Sequence, residues 1–524
     1  MLLTRFARLA AGAAALAMVA SAATAGTVTL KSYDGNVALT GDLSRFENNT
    51  YYLSTLIGEI AVNASQVSCE GADCPEIALG GVFSIKGSDT IGAALMPALL
   101  LGFADQLDAD VVQTRGVSGA DSMDIQMLAA NGDEVAKIGI TSVDSGAGVA
   151  ALLASEAAIG MSSRPMRDSE VDAFAAAGFP GMTTPEREQV LALDGLAVIV
   201  SPSNPVTSLS TPDIADIFSG VITNWNEVGG PDLPITVFAG EEGSGALAEL
   251  DLQILRPSGA TLAASAKRVN SNELLSDEVT VNRGGIGFTG LAYIRSAKPL
   301  AIQTECGLIA SATNFGIKTE EYPLARRLYL YTSGAPQPAQ VAKLLEYTRS
   351  EEAQRVIADA GFVDQSVDFI PVNDQGVRFA MAFTDPSPEF SYPQMRELMA
   401  ELINGYRLST TFRFNPGSSQ LDNKSQGDVQ RVIEYFSQED ERGREVLLVG
   451  FTDSVGRADL NRALSFRRAD QVRRSIVEEG GQALLDRVNI RVLGYGELAP
   501  VGCNESLVGR AINRRVEVWV RDPV

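Results

Sequence analysis

At 524 residues, with 45% apolar and 20% charged side chains, the chain is too long for one hydrophobic core and too apolar to be disordered, so a globular protein of two or three domains is expected. A formal charge of −23 speaks against nucleic acid or an anionic membrane as partner. The sequence contains no histidine, which excludes Ser-His and Cys-His catalysis and His-ligated metal sites; a binding protein without cofactor or metal is expected, not an enzyme.

Residues 1–25 carry Arg5 and Arg8 ahead of an Ala/Leu/Val-rich run that ends in Ala23, Thr24 and Ala25, the pattern of a cleaved secretory signal. No cysteine follows the run, so no lipid anchor is expected there, and no later apolar run is long enough to cross a bilayer. Residues 26–78 alternate apolar and polar positions on either side of Asp34-Gly35, as a small β-rich unit would. Within it, Cys69 and Cys74 are spaced to close a small disulfide loop in an oxidising compartment. Cys306 and Cys503 have no local partner and are either free or a bridge between two domains.

In residues 79–375, apolar strands such as "AVIVSP", "PITVFAG" and "GGIGFTG" alternate with helical patterns, which predicts an α/β domain of two lobes. Residues 376–408 contain "FTDPSPEFSYPQM" and read as a linker that turns helical toward its end. Residues 409–524 alternate strand and helix patterns and predict a compact α+β domain. This last part is neutral, with 17 basic and 17 acidic residues, whereas the part before it holds 25 against 48. The composition breaks where a domain boundary is expected.

Four segments in the α/β region place Ser and Gly at turns beside helical patterns: "KGSDTIGAALMPAL", "VDSGAGVAALL", "AIGMSSRPM" and "EEGSGALAEL". One such turn is ordinarily a helix cap. Several together predict a pocket in which backbone N–H groups and hydroxyls converge on an anion. With "LDGLAVIVSPSNPVTSLSTPDIADIFSGVITNWNEVGG" and "EYPLARRLYLYT", these segments resemble the phosphate-binding protein family of ABC transporters. The resemblance implies a two-lobed periplasmic-binding-protein fold. It places the oxyanion contacts on Ser88, Asp89 and Thr90, on Ser145 and Gly146, on Ser162, Ser163 and Arg164, and on Gly243, Ser244 and Gly245. It also implies phosphate or another small oxyanion as ligand and an ABC permease as a possible partner. In the fourth loop the family's Arg and Thr are replaced by Gly240 and Ala246, leaving Arg164 or Arg283 to supply the charge.

Near the C-terminus, the apolar spacing Leu460, Leu464, Val472, Ile476 predicts a helix capped by Asp459 and stopped by Gly480-Gly481, with Arg468 on its apolar face. A cation there needs a partner. The stretch "GFTDSVGRADLNRALSFRRADQVR", with "LGYGELAP" and "GRAINRRVEVWV", resembles the OmpA-like peptidoglycan-binding domain. The resemblance implies that Asp453 and Arg468 hold the free amino-acid end of diaminopimelate in the wall peptide, with Asn461 and Leu464 as neighbours. Asp and Arg suit a zwitterion, offering one acceptor for the ammonium and one bidentate donor for the carboxylate. Phe451 stands where the family often has His. Together these features predict a periplasmic protein of a Gram-negative envelope, tethered to peptidoglycan; the alternative is an envelope interaction protein whose middle domain docks a protein and no longer binds a solute.

Overall fold

The computed structural model describes residues 27–522 except 33–37, 48–49, 56–57, 64–66, 72–73, 75–80, 116–121, 243, 336, 385–390 and 415–419. The signal segment, the Asp34-Gly35 turn and Gly243 therefore lie outside the described residues.

Two compact units divide the chain after Ala78. The first is an antiparallel sheet of five strands in the order Gly58–Asn63, Thr50–Thr55, Ala38–Glu47, Thr27–Ser32, Val67–Glu70. Its alternation buries Val28, Leu30, Tyr51 and Leu53, and Cys69 and Cys74 form the expected disulfide.

The second unit opens with a long mixed sheet that spans both lobes of a periplasmic-binding-protein fold. Strand Glu188–Val200 crosses between them. Its first half, Glu188 to Gly195, pairs antiparallel with Ala325–Tyr331 in the first lobe, while Leu196 to Val200 pair with Gly285–Gly290 in the second. All but the first residue of this strand are buried, as expected where a sheet is covered on both faces.

A five-stranded sheet forms the heart of the C-terminal α+β domain, in the order Phe369–Pro371, Tyr406–Phe412, Val516–Arg521, Glu445–Gly450, Asn489–Gly494. Val446, Leu448, Val516 and Val518 face helices Asn423–Ser437 and Ala458–Leu485. Leu447, Val449 and Trp519, alternate residues of the same strands, face Phe379, Met395, Leu398 and Leu402. These last belong to helices Gly376–Thr384 and Tyr392–Leu402, so the segment read as a linker instead supplies half of the domain's core. Without it, the apolar second face of the sheet, Trp519 included, would stand in water.

The helix that carries Arg468 also differs from its sequence reading. It begins at Ala458 with Arg457 as the flanking residue, and Asp459 lies in its first turn, paired with Arg457. Its buried face runs through Asn461, Ser465, Ala469, Val472 and Ile476, and Leu460 is exposed. The cause is close packing on glycine: a Cβ on Gly450 would come within 2.1 Å of the Ser465 carbonyl oxygen, and one on Gly494 within 2.5 Å of the Phe466 nitrogen. The strand glycines let the helix backbone at Ser465 and Phe466 lie directly on the sheet, and in that placement Leu464 and Arg468 stand at the half-buried edge. Gly481, at φ 60°, breaks the helix where the Gly pair predicted a stop.

The C-terminal domain is fixed to the two-lobed domain by a Cys306–Cys503 disulfide and by buried ion pairs. Arg407, fully buried, donates to Glu321, and Arg413 donates to Glu320 at 3.1 Å. Burial alone would raise both carboxyls, but Arg327 and Arg413 at Glu320, and Arg407 at Glu321, hold them well below the usual carboxylate range.

Candidate functional site

Each Gly/Ser turn sits where a strand ends or a helix begins. Strand Gly81–Ser88 delivers Ser88, Asp89 and Thr90, and helix Ser145–Leu153 is capped by Asp144, whose carboxylate accepts from Ala147 N–H at 2.9 Å. Strand Ile159–Ser162 delivers Ser162 to Arg164, and Ser244 caps the short helix Gly245–Leu250.

These turns converge. A Cβ on Gly245 would lie 3.2 Å from both Asp89 Oδ1 and Thr90 Oγ1 and 3.7 Å from Ser163 Oγ, so the second lobe's loop touches the first lobe's. Ser163 N–H donates to Ser145 Oγ at 3.0 Å, and the two hydroxyls stand 3.2 Å apart. Ser145, Asp89, Thr90, Ser163 and Gly245 therefore share one cleft. Gly146 follows Ser145 in the first helical turn, next to Asp144 and Arg164. Ser162 turns its hydroxyl inward to the Arg164 carbonyl, at 2.6 Å.

Neither arginine considered for the missing charge supplies it. Arg164 gives both terminal nitrogens to Glu170, at 2.8 and 2.7 Å, and is neutralised by the first turn of the helix Asp168–Ala176 that follows it. Arg283 is exposed just before strand Gly285–Gly290, whose parallel neighbour Thr236–Gly240 reaches the cleft with its other end. Gly240 itself has no room for a side chain, because a Cβ would meet Ser244 Oγ at 2.6 Å.

The cation at the cleft is Arg326, on strand Ala325–Tyr331, which pairs with the crossover strand. It is 8% exposed, donates twice to Asp194 Oδ2 (3.0 and 2.8 Å), and reaches Thr90 Oγ1 at 3.3 Å. Among the described residues its Nη1 has no acceptor, and the buried Ser88 Oγ and Asp194 Oδ1 have no partner either. Buried polar atoms are almost always satisfied, so three orphans in one place mark a site built for something else. The sequence signal was available: two arginines interrupt an otherwise apolar strand in "LARRLYLY".

Burial pushes the Asp89 carboxyl up, against the opposing pull of the Thr90 N–H and the Arg326 charge. An acid raised by folding stabilises below its unfolded pKa, near 4, and loses that contribution as pH rises through its folded value. The ionised form of Asp89 is therefore a strain on the ligand-free protein. Asp89→Asn should raise the ligand-free thermal midpoint at pH 7, and the gain should vanish near pH 3.5, as differential scanning calorimetry at the two pH values would show.

In the C-terminal domain, Asp453 follows the buried Phe451-Thr452 step. It accepts from Val455 N–H at 3.1 Å through Oδ1 and from Arg514 Nη1 at 2.6 Å through Oδ2. Asn461, buried in the first turns of the helix, donates to the carbonyls of Asp453 and Val455, both at 3.3 Å, and so fixes this loop. Arg468 is half-buried above the Phe414 ring, 5.3 Å from its centre, and makes no salt bridge among the described residues. Its Nε is buried without an acceptor. Burial and the Arg514 charge push its pKa down while Asp453 pulls it up, so Arg468, Arg514 and Asp453 lie within electrostatic reach of one another. Leu464, one turn before Arg468, is half-buried. Arg514 was not among the residues expected at this site. Its neighbour Arg515 is structural: fully buried, it donates to Glu517 at 2.7 Å and lies 4.3 Å from the Phe451 ring centre.

Residues 104–352 match the family described as "PBP superfamily domain", and residues 413–514 match the OmpA family. Protein SphX of Synechococcus elongatus is 30% identical over 225 residues, covering 41% of this chain and 63% of SphX. Phosphate-binding protein PstS of Bacillus subtilis is 31% identical over 189 residues, covering 36% of this chain and 58% of PstS. Outer membrane porin F of Pseudomonas fluorescens is 37% identical over 114 residues, covering 22% of this chain and 33% of the porin. The chain thus spans less than two thirds of each of these relatives. No helix among the described residues is long and apolar enough to cross a membrane.

Proposed function

We propose, on the premise that the chain joins a PBP superfamily domain to an OmpA family domain, that it is an exported envelope protein with two ligands. A small oxyanion of the phosphate class enters the cleft between the lobes, and the diaminopimelate stem peptide of peptidoglycan is held non-covalently at Asp453 and Arg468. The observation that carries the first half is the set of orphaned groups in the cleft: Arg326 Nη1 and Ser88 Oγ are donors without acceptors, beside the hydroxyls of Thr90, Ser145 and Ser163. An oxyanion supplies acceptors to all of them. Asp89 and Asp194 leave the cleft no surplus of positive charge, so an anion that still carries a proton, and can donate it to a carboxylate oxygen, fits better than a fully ionised one.

A periplasm bounded by an outer membrane is the compartment in which both halves work. An ABC permease would meet this carrier only within reach of its wall attachment, which favours scavenging, sensing or storage over diffusive delivery.

Thermal unfolding of the full chain against phosphate, sulfate, molybdate and small carboxylates tests the cleft; the full chain is required because a cut at residue 375 would bare Glu320 and Glu321. A saturable rise in midpoint is expected for phosphate. Arg326→Gln should weaken that binding by about 10-fold to 100-fold, the worth of one or two hydrogen bonds to a charged group. A flat response across the panel would favour the second reading, a solute-binding fold that docks a protein partner, to which the loss of the family's Arg and Thr at Gly240 and Ala246 already leans.

A further inference from the structure

We propose that occupancy of the cleft and grip on the wall are energetically coupled through the buried carboxylates Glu320 and Glu321, which makes the chain a solute-responsive wall-binding protein. This rests on the functional reading above and adds a relation between its two sites.

Successive side chains of a strand point to opposite faces. On Ala325–Tyr331, Arg326 faces the cleft and reaches Thr90. Arg327 faces away from it and donates to Glu320 and to Asp422 of the C-terminal domain, both at 2.8 Å. Glu320 in turn accepts from Arg413, which also donates to the carbonyls of Thr319 and Glu320, at 2.9 and 3.2 Å. Those bonds hold Glu320 at φ 56°, a left-handed conformation unusual for its residue type. The residue after Arg413 is Phe414, the ring beneath Arg468.

A second line of contacts runs beside the first. Glu321 pairs with Arg407 and lies 3.8 Å from Arg515, and the residue before Arg515 is Arg514, which holds Asp453. The two residues that touch the wall-site pair, Phe414 beneath Arg468 and Arg514 at Asp453, are thus each one residue removed from an arginine that reaches the 320–321 turn, and the cleft arginine is one residue removed from another.

A coupling of this kind needs an element with two positions, and the crossover between the lobes is the element to which the proposal assigns that role. The C-terminal domain is tied to both sides of that crossover. Asn423 donates to the Thr183 carbonyl and to Glu188 on the first-lobe side, at 2.9 and 2.8 Å, while Cys503 is bonded to Cys306 on the second-lobe side. Any change in the angle between the lobes on ligand binding is therefore imposed on the contacts around Glu320 and Glu321.

Linkage is reciprocal, so it can be measured from either end. With full-length protein, inorganic phosphate is titrated calorimetrically with and without a saturating diaminopimelate-containing muropeptide, and sedimentation with purified sacculi is measured with and without phosphate. Each ligand is expected to change the affinity of the other by the same factor, about fivefold or more. Asp422→Asn, which keeps a good helix cap but loses the charge paired with Arg327, should bind both ligands and bring the factor toward one. If that variant does not fold, the Cys306→Ser/Cys503→Ser pair serves in its place. A factor of one in the native protein, with both ligands bound, overturns the coupling and leaves the two sites standing. Absence of phosphate binding overturns the cleft reading and the coupling together, and absence of sedimentation does the same for the wall reading.

Discussion

Arg468→Ala should lose its retention on purified sacculi yet melt no lower than the native protein. A half-buried guanidinium without a salt bridge, its Nε lacking an acceptor and its pKa pushed down by burial and by Arg514, is held at a cost to stability. Truncation relieves that cost. The same change removes the bidentate partner of a ligand carboxylate, a loss of about 3–5 kcal/mol and hence of about 100-fold or more in affinity. Asp453→Ala should lose retention equally but behave differently on heating, because it leaves Arg514 without its 2.6 Å partner and should lower the melting midpoint slightly. The contrast separates a ligand site from an ordinary structural ion pair, in which both truncations would destabilise and neither would affect binding. Sacculus sedimentation and circular-dichroism melts of the two variants provide both readouts, and retention of both variants on sacculi would remove the assignment of this site.

Much of this architecture was legible because burial leaves a pattern. The second half of the covered strand Glu188–Val200, "LAVIV", reads as an apolar run, and the turns at Ser88, Ser145, Ser163 and Ser244 read as anion-binding or capping turns from their residue types alone. The helix bearing Arg468 was read one residue out of phase. Hydrophobicity pointed to Leu460 and Leu464, whereas the backbone of Ser465 and Phe466 lies directly against Gly450 and Gly494 and turns the face of Asn461 and Ser465 inward, and a close approach between two backbones carries no hydrophobic signal. Helices Gly376–Thr384 and Tyr392–Leu402 were hidden by the Pro- and Ser-containing stretch between them. The ion pairs of the domain junction join residues 86 to 95 positions apart, and the second disulfide joins residues 197 apart. No local pattern encodes such pairs. Arg326 was missed for a related reason: its charge answers to Asp194, 132 positions earlier, and to a cleft that exists only once the lobes are folded together.

Loss of the Glu517 carboxylate should be the most damaging single change in the chain. Glu517 is fully buried, and it accepts from Arg515 at 2.7 Å, from Trp519 Nε1 at 2.8 Å, and pairs with Arg378 at 2.8 Å and Arg407 at 3.5 Å. Three guanidiniums converge there, with Glu321 as their other carboxylate. Replacing a buried ionic cluster wholesale can be neutral, but deleting one partner leaves the others charged and unsatisfied, at about 3–5 kcal/mol. Glu517→Ala should therefore unfold the C-terminal domain at temperatures where the native protein is intact, and Glu517→Gln should retain the Trp519 contact while losing most of the rest. Acid separates charge from shape. Burial alone would raise the Glu517 carboxyl, but Arg378, Arg407 and Arg515 hold it well below the usual carboxylate range, as Arg407 and its neighbours do for Glu321. For a depressed acid, stability is present above the unfolded pKa, near 4.3, and is lost as pH falls from there toward the folded value. In circular-dichroism melts the gap between native protein and Glu517→Gln should stay constant from pH 8 to about pH 5 and narrow progressively below about pH 4, as the carboxylate of the unfolded chain takes up its proton while the native one is still held ionised by the arginines. A variant as stable as the native protein at pH 7 would mean that the three arginines do not depend on this carboxylate, and the cluster would then have to be held by Glu321 alone.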